Sequence, residues 1–237
     1  MKIAIIGDSS MLYMPYVSNY EKILIENKVD YNIINWDRLQ LEDNHNEFIF
    51  RDNKIGHRRN YYDYIKYSHF IKMKLKENNY DRLIICGIPL SHVLRKYLLK
   101  QFKGKYVIDI RDYHRLLKVI NITNVIKESS FTTISSPAYR EWLPKIDKYV
   151  LNHNMNVTTL YNLHDTKFNQ SKRIIISYIG SLANYEENRD FINSLKNAKK
   201  FLLLFHGDGT INNLLDNYIK KFNIDNVRIY GRYNREI

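Results

Sequence analysis

Asp109, Arg111, Asp112 and His114 crowd one short tract, Asp109-Ile110-Arg111-Asp112-Tyr113-His114. A carboxylate or an imidazole held beside a substrate hydroxyl can take its proton. Asp112 and His114 are therefore the candidates for hydroxyl binding or proton handling. The alternative is an ion-pair network of Asp109, Arg111 and Asp112 that only shapes the loop, and the residue types leave both open. Glycine-bearing turns form a second set: Gly7-Asp8-Ser9-Ser10, Gly180-Ser181-Leu182 and Gly207-Asp208-Gly209. Backbone N–H groups near a helix N-terminus can hold phosphate, which makes Gly180 to Leu182 a candidate cradle. Glu186-Glu187, just downstream, favour a helix N-terminus but repel an anion. No compact carboxylate or His/Cys cluster has metal-ligand spacing, so no metal is expected.

Each of these turns follows an apolar run. Lys2–Ile6, Asp81–Gly87, Tyr106–Ile110, Ile174–Ile179 and Phe201–Phe205 read as buried strands, and polar runs with helical spacing separate them. This is the signature of βαβ units and parallel sheet. Ligands of such sheets bind outside the carboxyl ends of the strands, where these turns sit. The first turn lacks the further glycines of a dinucleotide fingerprint. Further helices are predicted over Tyr16–Asn27, from an Asn60 cap to about Asn79, from Leu90, over Val119–Ser129 and from Ser135 to Leu143. Further strands are predicted over Val29–Asn35, Phe131–Ile134 and Lys148–Leu151. Residues 37–60 read as loop with one short apolar run, Glu47–Phe50.

The 237 residues suit one or two domains. No run approaches the length of a membrane span, and the N-terminus is a short strand rather than a signal peptide. Cys86, at the end of an apolar run, reads as a core residue. A lone cysteine makes no internal disulfide, which fits a reducing cytoplasm. The net charge is +12, favouring anionic partners. Residues 54–76 hold seven Lys and Arg against Asp63 alone, a net of +6. That segment reads either as a solvated face of a helix or as a surface that docks on anionic membrane through Arg58, Arg59, Lys66, Lys72 and Lys74. No nucleic-acid motif accompanies the charge, so nucleic acid is not an expected partner.

The ordered set Gly180-Ser181-Leu182, Gly207-Asp208-Gly209 and Asn226–Gly231 resembles the start of the donor-binding domain of GT-B-fold glycosyltransferases of the glycogen-synthase-like, bacterial polysaccharide type. The tract Asp109–Asp112 is similar to the Asp-x-Arg-Asp tract of many of them. The resemblance implies an α/β fold of two Rossmann-like parallel-sheet domains, the second incomplete. Residues 1–160 would form the acceptor-side domain, 161–171 the linker, and 172–237 the first part of the donor domain. Gly7, Asp8, Ser9 and Arg111 would face the acceptor. Gly180, Ser181, Leu182, Gly207, Asp208 and Gly209 would face the donor. Members often place an Arg after the first glycine and a Lys at the next helix start. Here Ser181 and Glu186-Glu187 stand there, and Arg189 is the nearest cation. The implied reaction moves a sugar from a nucleotide-sugar, a substrate rather than a cofactor, to a saccharide or lipid-linked acceptor in cell-surface polysaccharide synthesis. The implied place is the cytoplasm, peripheral on the inner face of the membrane. Members carry donor-gripping carboxylates in a following segment, so this chain alone is expected to be inactive. A second chain completing the donor domain, with this one as a non-catalytic acceptor- or membrane-binding subunit, is the alternative.

Overall fold

A computed structural model describes residues 1–40, 42, 47–56, 58–153 and 173–232. The chain divides into two compact units, residues 1–162 and 163–237. The expected linker at 161–171 lies outside the described residues.

In the first unit the elements run β1 (Lys2–Ile6), α1 (Val17–Glu26), β2 (Asp30–Trp36), β3 (Glu47–Phe50), α2 (Tyr61–Asn78), β4 (Arg82–Cys86), α3 (Ile88–Gln101), β5 (Tyr106–Ile110), α4 (Thr123–Lys127), β6 (Phe131–Ile134) and β7 (Tyr149–Leu151). The strands pair in parallel in the order β3-β2-β1-β4-β5-β6-β7. Strand side chains alternate between faces, and both faces here are covered. Ala4 and Ile6 join Ile34, Tyr67, Ile71, Ile85 and Leu94 in one core. Ile3 and Ile5 join Val17, Leu24, Ile33 and Cys86 in the other, against α1. The strand order reverses between β1 and β4, so their carboxyl ends diverge and leave a crevice.

Three local features differ from the sequence-based expectation. Glu47–Phe50 is an edge strand paired with β2, because Phe48 and Phe50 pack on the core. The helix predicted over Val119–Ser129 reduces to α4, with a 3₁₀ turn at Arg115–Lys118 before it. The helix after Ser136 is a 3₁₀ turn over Pro137–Glu141. By contrast α2 starts where the Asn60 cap predicts: Asn60 accepts from the Asp63 N–H and Asp63 accepts from the Asn60 N–H, a reciprocal capping box.

The second unit contains β8 (Ile174–Ile179), α5 (Tyr185–Leu195), β9 (Phe201–His206), α6 (Asn212–Lys221) and β10 (Val227–Gly231). Its strands pair in parallel in the order β10-β9-β8. Leu182, Ile192, Leu203, Phe205, Leu215 and Val227 form its core. Among the described residues no helix is long and apolar enough to cross a membrane.

Candidate functional site

The crevice of the first unit holds a cavity of about 200 Å³, lined by Asp8, Ser9, Arg111, Asp112 and His114 together with Tyr13, Tyr16, Gly87, Pro89 and Asp109. Three separate loops, those after β1, β4 and β5, thus meet at one place. Gly7 lies beside it rather than in its wall. The Gly7 carbonyl accepts from the buried Tyr67 hydroxyl at 2.5 Å, and a Cβ there would stand 2.3 Å from Met14 Cε. Its lack of a side chain leaves the room that the Met14 thioether fills.

Three carboxylates line the cavity, and their surroundings separate them. Asp109 is fully buried. It takes the Arg111 Nε at 2.9 Å and the Thr133 hydroxyl at 2.7 Å. Arg111 continues to the Asn152 carbonyl at 2.9 Å and stacks 4.7 Å over Tyr16. Asp8 accepts from the Tyr64 hydroxyl at 2.9 Å and pairs with Arg38 at 3.4 Å. Asp112 is exposed and makes no hydrogen bond or ion pair among the described residues. The loop carrying it is nevertheless fixed. Ser135 and Tyr139 both donate to the Arg111 carbonyl, at 3.0 and 2.5 Å, and Tyr113 packs edge-on to Trp142 at 5.3 Å. The ion-pair alternative of the sequence reading is thus half realised: Asp109 and Arg111 form the network, and Asp112 stands outside it.

His114 is not placed as a base. Its Nδ1 accepts the Leu116 N–H at 3.2 Å, capping the 3₁₀ turn. Partial burial lowers its pKa, the Asp8 charge raising it and Arg38 lowering it further, so the ring is neutral at pH 7. A neutral ring with Nδ1 accepting carries its proton on Nε2. His114 therefore offers a hydrogen-bond donor. Cys86, also in the wall, is buried, and burial pushes its thiol well above the ordinary range. It is inert.

The basic segment separates in the same way. Arg59 was expected on a membrane-facing surface, but its side chain is 1% exposed and grips Asp52 through both Nε and Nη2, at 2.9 and 2.8 Å. Lys74 pairs with Glu77 at 2.8 Å and lies over Phe48 and Phe70. Lys72 is half-buried. Arg58 and Lys66 are exposed. Composition counts charges but not their partners, and Asp52 and Glu77 are those partners.

In the second unit the glycine turns lie side by side at the carboxyl ends of β8 and β9. Gly180 N–H donates to the His206 carbonyl at 3.1 Å and Leu182 N–H to the Asp208 carbonyl at 3.3 Å. A Cβ on Gly207 would stand 1.7 Å from the Gly180 carbonyl oxygen, and one on Gly209 2.0 Å from that of Leu182. The glycines are required by this close approach. It also consumes two of the three N–H groups offered as a phosphate cradle, leaving the Ser181 N–H. Glu186 and Glu187 occupy the first turn of α5, and Arg189 pairs with Asp190 at 2.9 Å. Among the described residues no group of His, Cys, Asp or Glu is placed to hold a metal.

No protein-family model matches the chain, and no curated protein matches it. Solved structures do. The apo lipopolysaccharide outer core galactosyltransferase WaaB is similar over 99% of this chain and 69% of its own, at 17% identity and a TM-score of 0.70. Sucrose-phosphate synthase from Thermosynechococcus elongatus is similar over 99% and 71%, at 13% identity and 0.69. HepE from Anabaena, solved with UDP, is similar over 98% and 70%, at 13% identity and 0.61. A UDP-GlcNAc 2-epimerase from Methanocaldococcus jannaschii follows over 99% and 74%, at 14% identity and 0.56. Both parallel sheets, with their loops at the carboxyl ends of the strands, are thus those of the GT-B fold, which is the fold of this chain.

Proposed function

We propose that the chain is a glycosyltransferase, or the part of one that binds acceptor and begins the donor site. It moves a sugar from a nucleotide-sugar to a saccharide or lipid-linked acceptor of the cell surface. The observation that carries this reading is the cavity where the loops after β1, β4 and β5 converge, with Asp112 fixed in its backbone and its side chain unengaged among the described residues. A carboxylate so placed can accept the proton of an attacking hydroxyl. Asp8 and Asp109 are committed elsewhere, and His114 supplies a donor that orients an oxygen. The neighbours support the substrate class: one was solved with UDP, and another is named for galactosyl transfer to lipopolysaccharide.

A second reading rests on the second unit. With two of three loop N–H groups spent and two carboxylates in the first turn of α5, this loop is a weak phosphate cradle. That favours a chain that binds acceptor while a partner chain grips the donor. It would work in the cytoplasm, with Arg58 and Lys66 available to an anionic membrane. The fold also serves an epimerase, so the experiment must tell transfer from epimerisation. The chain is incubated with UDP-sugars and an extract of cell-surface saccharides and glycolipids, and products are identified by mass spectrometry and sugar analysis. Glycosylated acceptor supports transfer. An inverted sugar stereocentre without acceptor modification replaces it with epimerisation. Acceptor binding without UDP release selects the subunit reading.

A further inference from the structure

A second cavity, of about 350 Å³, adjoins the first and shares His114 and Pro89 with it. Its wall includes Arg38, Arg58, Arg59, Tyr61, Tyr64 and His92, and no carboxylate lines it among the described residues. The arginines are set by Trp36, fully buried at the end of β2. The Arg38 guanidinium lies 4.6 Å and that of Arg59 5.2 Å from its ring. Such stacking holds the guanidinium planes and leaves their charge intact.

The wall is rich in donors and poor in acceptors. Arg59 is spent on Asp52, and Arg38 is shared with Asp8 and the Tyr64 hydroxyl. Arg58 is exposed, and its side chain makes no ion pair or hydrogen bond among the described residues. Arg95 donates to His92 Nε2 at 3.1 Å. A guanidinium only donates, so His92 carries its proton on Nδ1, which is buried without an acceptor. His114 presents Nε2–H, as derived above. The helix α2 begins in the same wall at Asn60 and Tyr61, adding the positive end of its dipole. The Arg58 guanidinium, the Arg38 charge and the His114 Nε2–H, with no carboxylate in the lining among the described residues, suit a group that is all acceptor and negatively charged.

We propose that this cavity binds a phosphoryl group. Resting on the transferase reading, the acceptor is then a phosphorylated one, its phosphate among the arginines and its hydroxyl beside Asp112 in the adjoining cavity. Tyr61, 53% exposed at the rim, offers a face for the apolar or sugar portion of the molecule.

The test is binding, read without turnover. Inorganic phosphate, glucose 1-phosphate and vesicles of phosphatidylcholine with phosphatidic acid are titrated against the wild-type chain and three variants. Arg58→Gln removes the cation that has no partner among the described residues. His114→Ser keeps an oxygen to cap the Leu116 N–H and loses the Nε2–H. Lys127→Gln removes an exposed cation that does not line the cavity. A hydrogen bond to a charged group is worth about 1.5–3 kcal/mol, so Arg58→Gln should weaken phosphate binding roughly tenfold or more. His114→Ser should weaken it as well, and Lys127→Gln should leave it unchanged. Vesicle binding lost with the same variants assigns the phosphate to a lipid headgroup. Sugar-phosphate binding without vesicle binding assigns it to a soluble acceptor. No saturable phosphate binding by the wild type, or equal losses in Arg58→Gln and Lys127→Gln, overturns the proposal. A chain that binds phosphate but transfers no sugar removes only the transferase reading, and one that transfers sugar without binding phosphate removes only this inference.

Discussion

The Arg38 guanidinium lies 3.4 Å from the Asp8 carboxylate, and the Tyr64 hydroxyl bridges them, accepting from Arg38 at 2.9 Å and donating to Asp8 at 2.9 Å. Asp8 lines one cavity and Arg38 the other. The pair thus offsets the charge of the arginine wall and at the same time withdraws Asp8 from proton transfer. Asp8→Asn keeps an oxygen for Tyr64 and removes the countercharge. Phosphate should bind the variant several-fold more tightly, because the guanidinium is no longer partly neutralised. Titration calorimetry with inorganic phosphate reads this, and weaker binding than in the wild type would refute Asp8 as a competing charge.

Asp112 and Asp109 occupy the same tract with opposite consequences. Asp112→Asn should lower transfer by about 10²–10⁴-fold, the usual contribution of a positioned base. Its melting temperature should not move, since the side chain is exposed and has no partner among the described residues. Asp109→Asn should instead unfold more easily by roughly 3–5 kcal/mol, because the buried Arg111 loses its countercharge. Turnover assays and urea denaturation on both variants decide this. Wild-type turnover in Asp112→Asn, or wild-type stability in Asp109→Asn, would reverse the assignment of roles.

Much of the architecture is legible because parallel strands buried on both faces leave long apolar runs, and the turns after them are rich in glycine and charge. The candidate site is legible only where its parts are local. The tract Asp109–His114 ends a strand, and Asp8 and Ser9 follow another. What could not be read is what distance in sequence conceals. Trp36 seats Arg38 and Arg59 from different segments, and nothing in the spacing joins them. Asp52 neutralises Arg59 across a loop, so a count of charges placed Arg59 on a surface where it is not. The tautomer of His114 depends on a backbone N–H two residues on, a contact made only when the chain turns into a 3₁₀ turn rather than running on as a strand.

The same distinction governs Gly207. Sequence marks it as a turn residue, yet its backbone has no left-handed φ. Its constraint is the Gly180 carbonyl, 1.7 Å from where a Cβ would stand. Backbone cannot yield as a flexible side chain can. Gly207→Ala should therefore destabilise the chain by about 1–3 kcal/mol or more, with amide exchange accelerated in β8 and β9 of the second unit. An alanine variant with unchanged exchange there would show that the two loops are not held together as described.

Asp63 links pH to the start of α2. Its carboxylate takes the Lys54 ammonium at 2.7 and 2.6 Å and the Asn60 N–H at 2.9 Å, and the Lys54 hydrogen bond is the foremost cause that holds its pKa below the ordinary value. The folded state therefore favours the ionised form. The stabilisation is fully present above the unfolded value, about 3.9 for an aspartate, and is lost as pH falls through the lower folded value. Half of the Lys54 side chain is exposed, so screening by water and salt keeps the effect modest. Asp63→Asn should cost about 1 kcal/mol at pH 7, the scale of a helix cap. The gap to wild type should narrow below about pH 4 and close once the wild-type carboxylate is protonated. Urea denaturation of both proteins from pH 7 to below pH 3 measures the gap directly, and a difference that stays constant across that range would mean the Asp63 charge contributes nothing to holding α2.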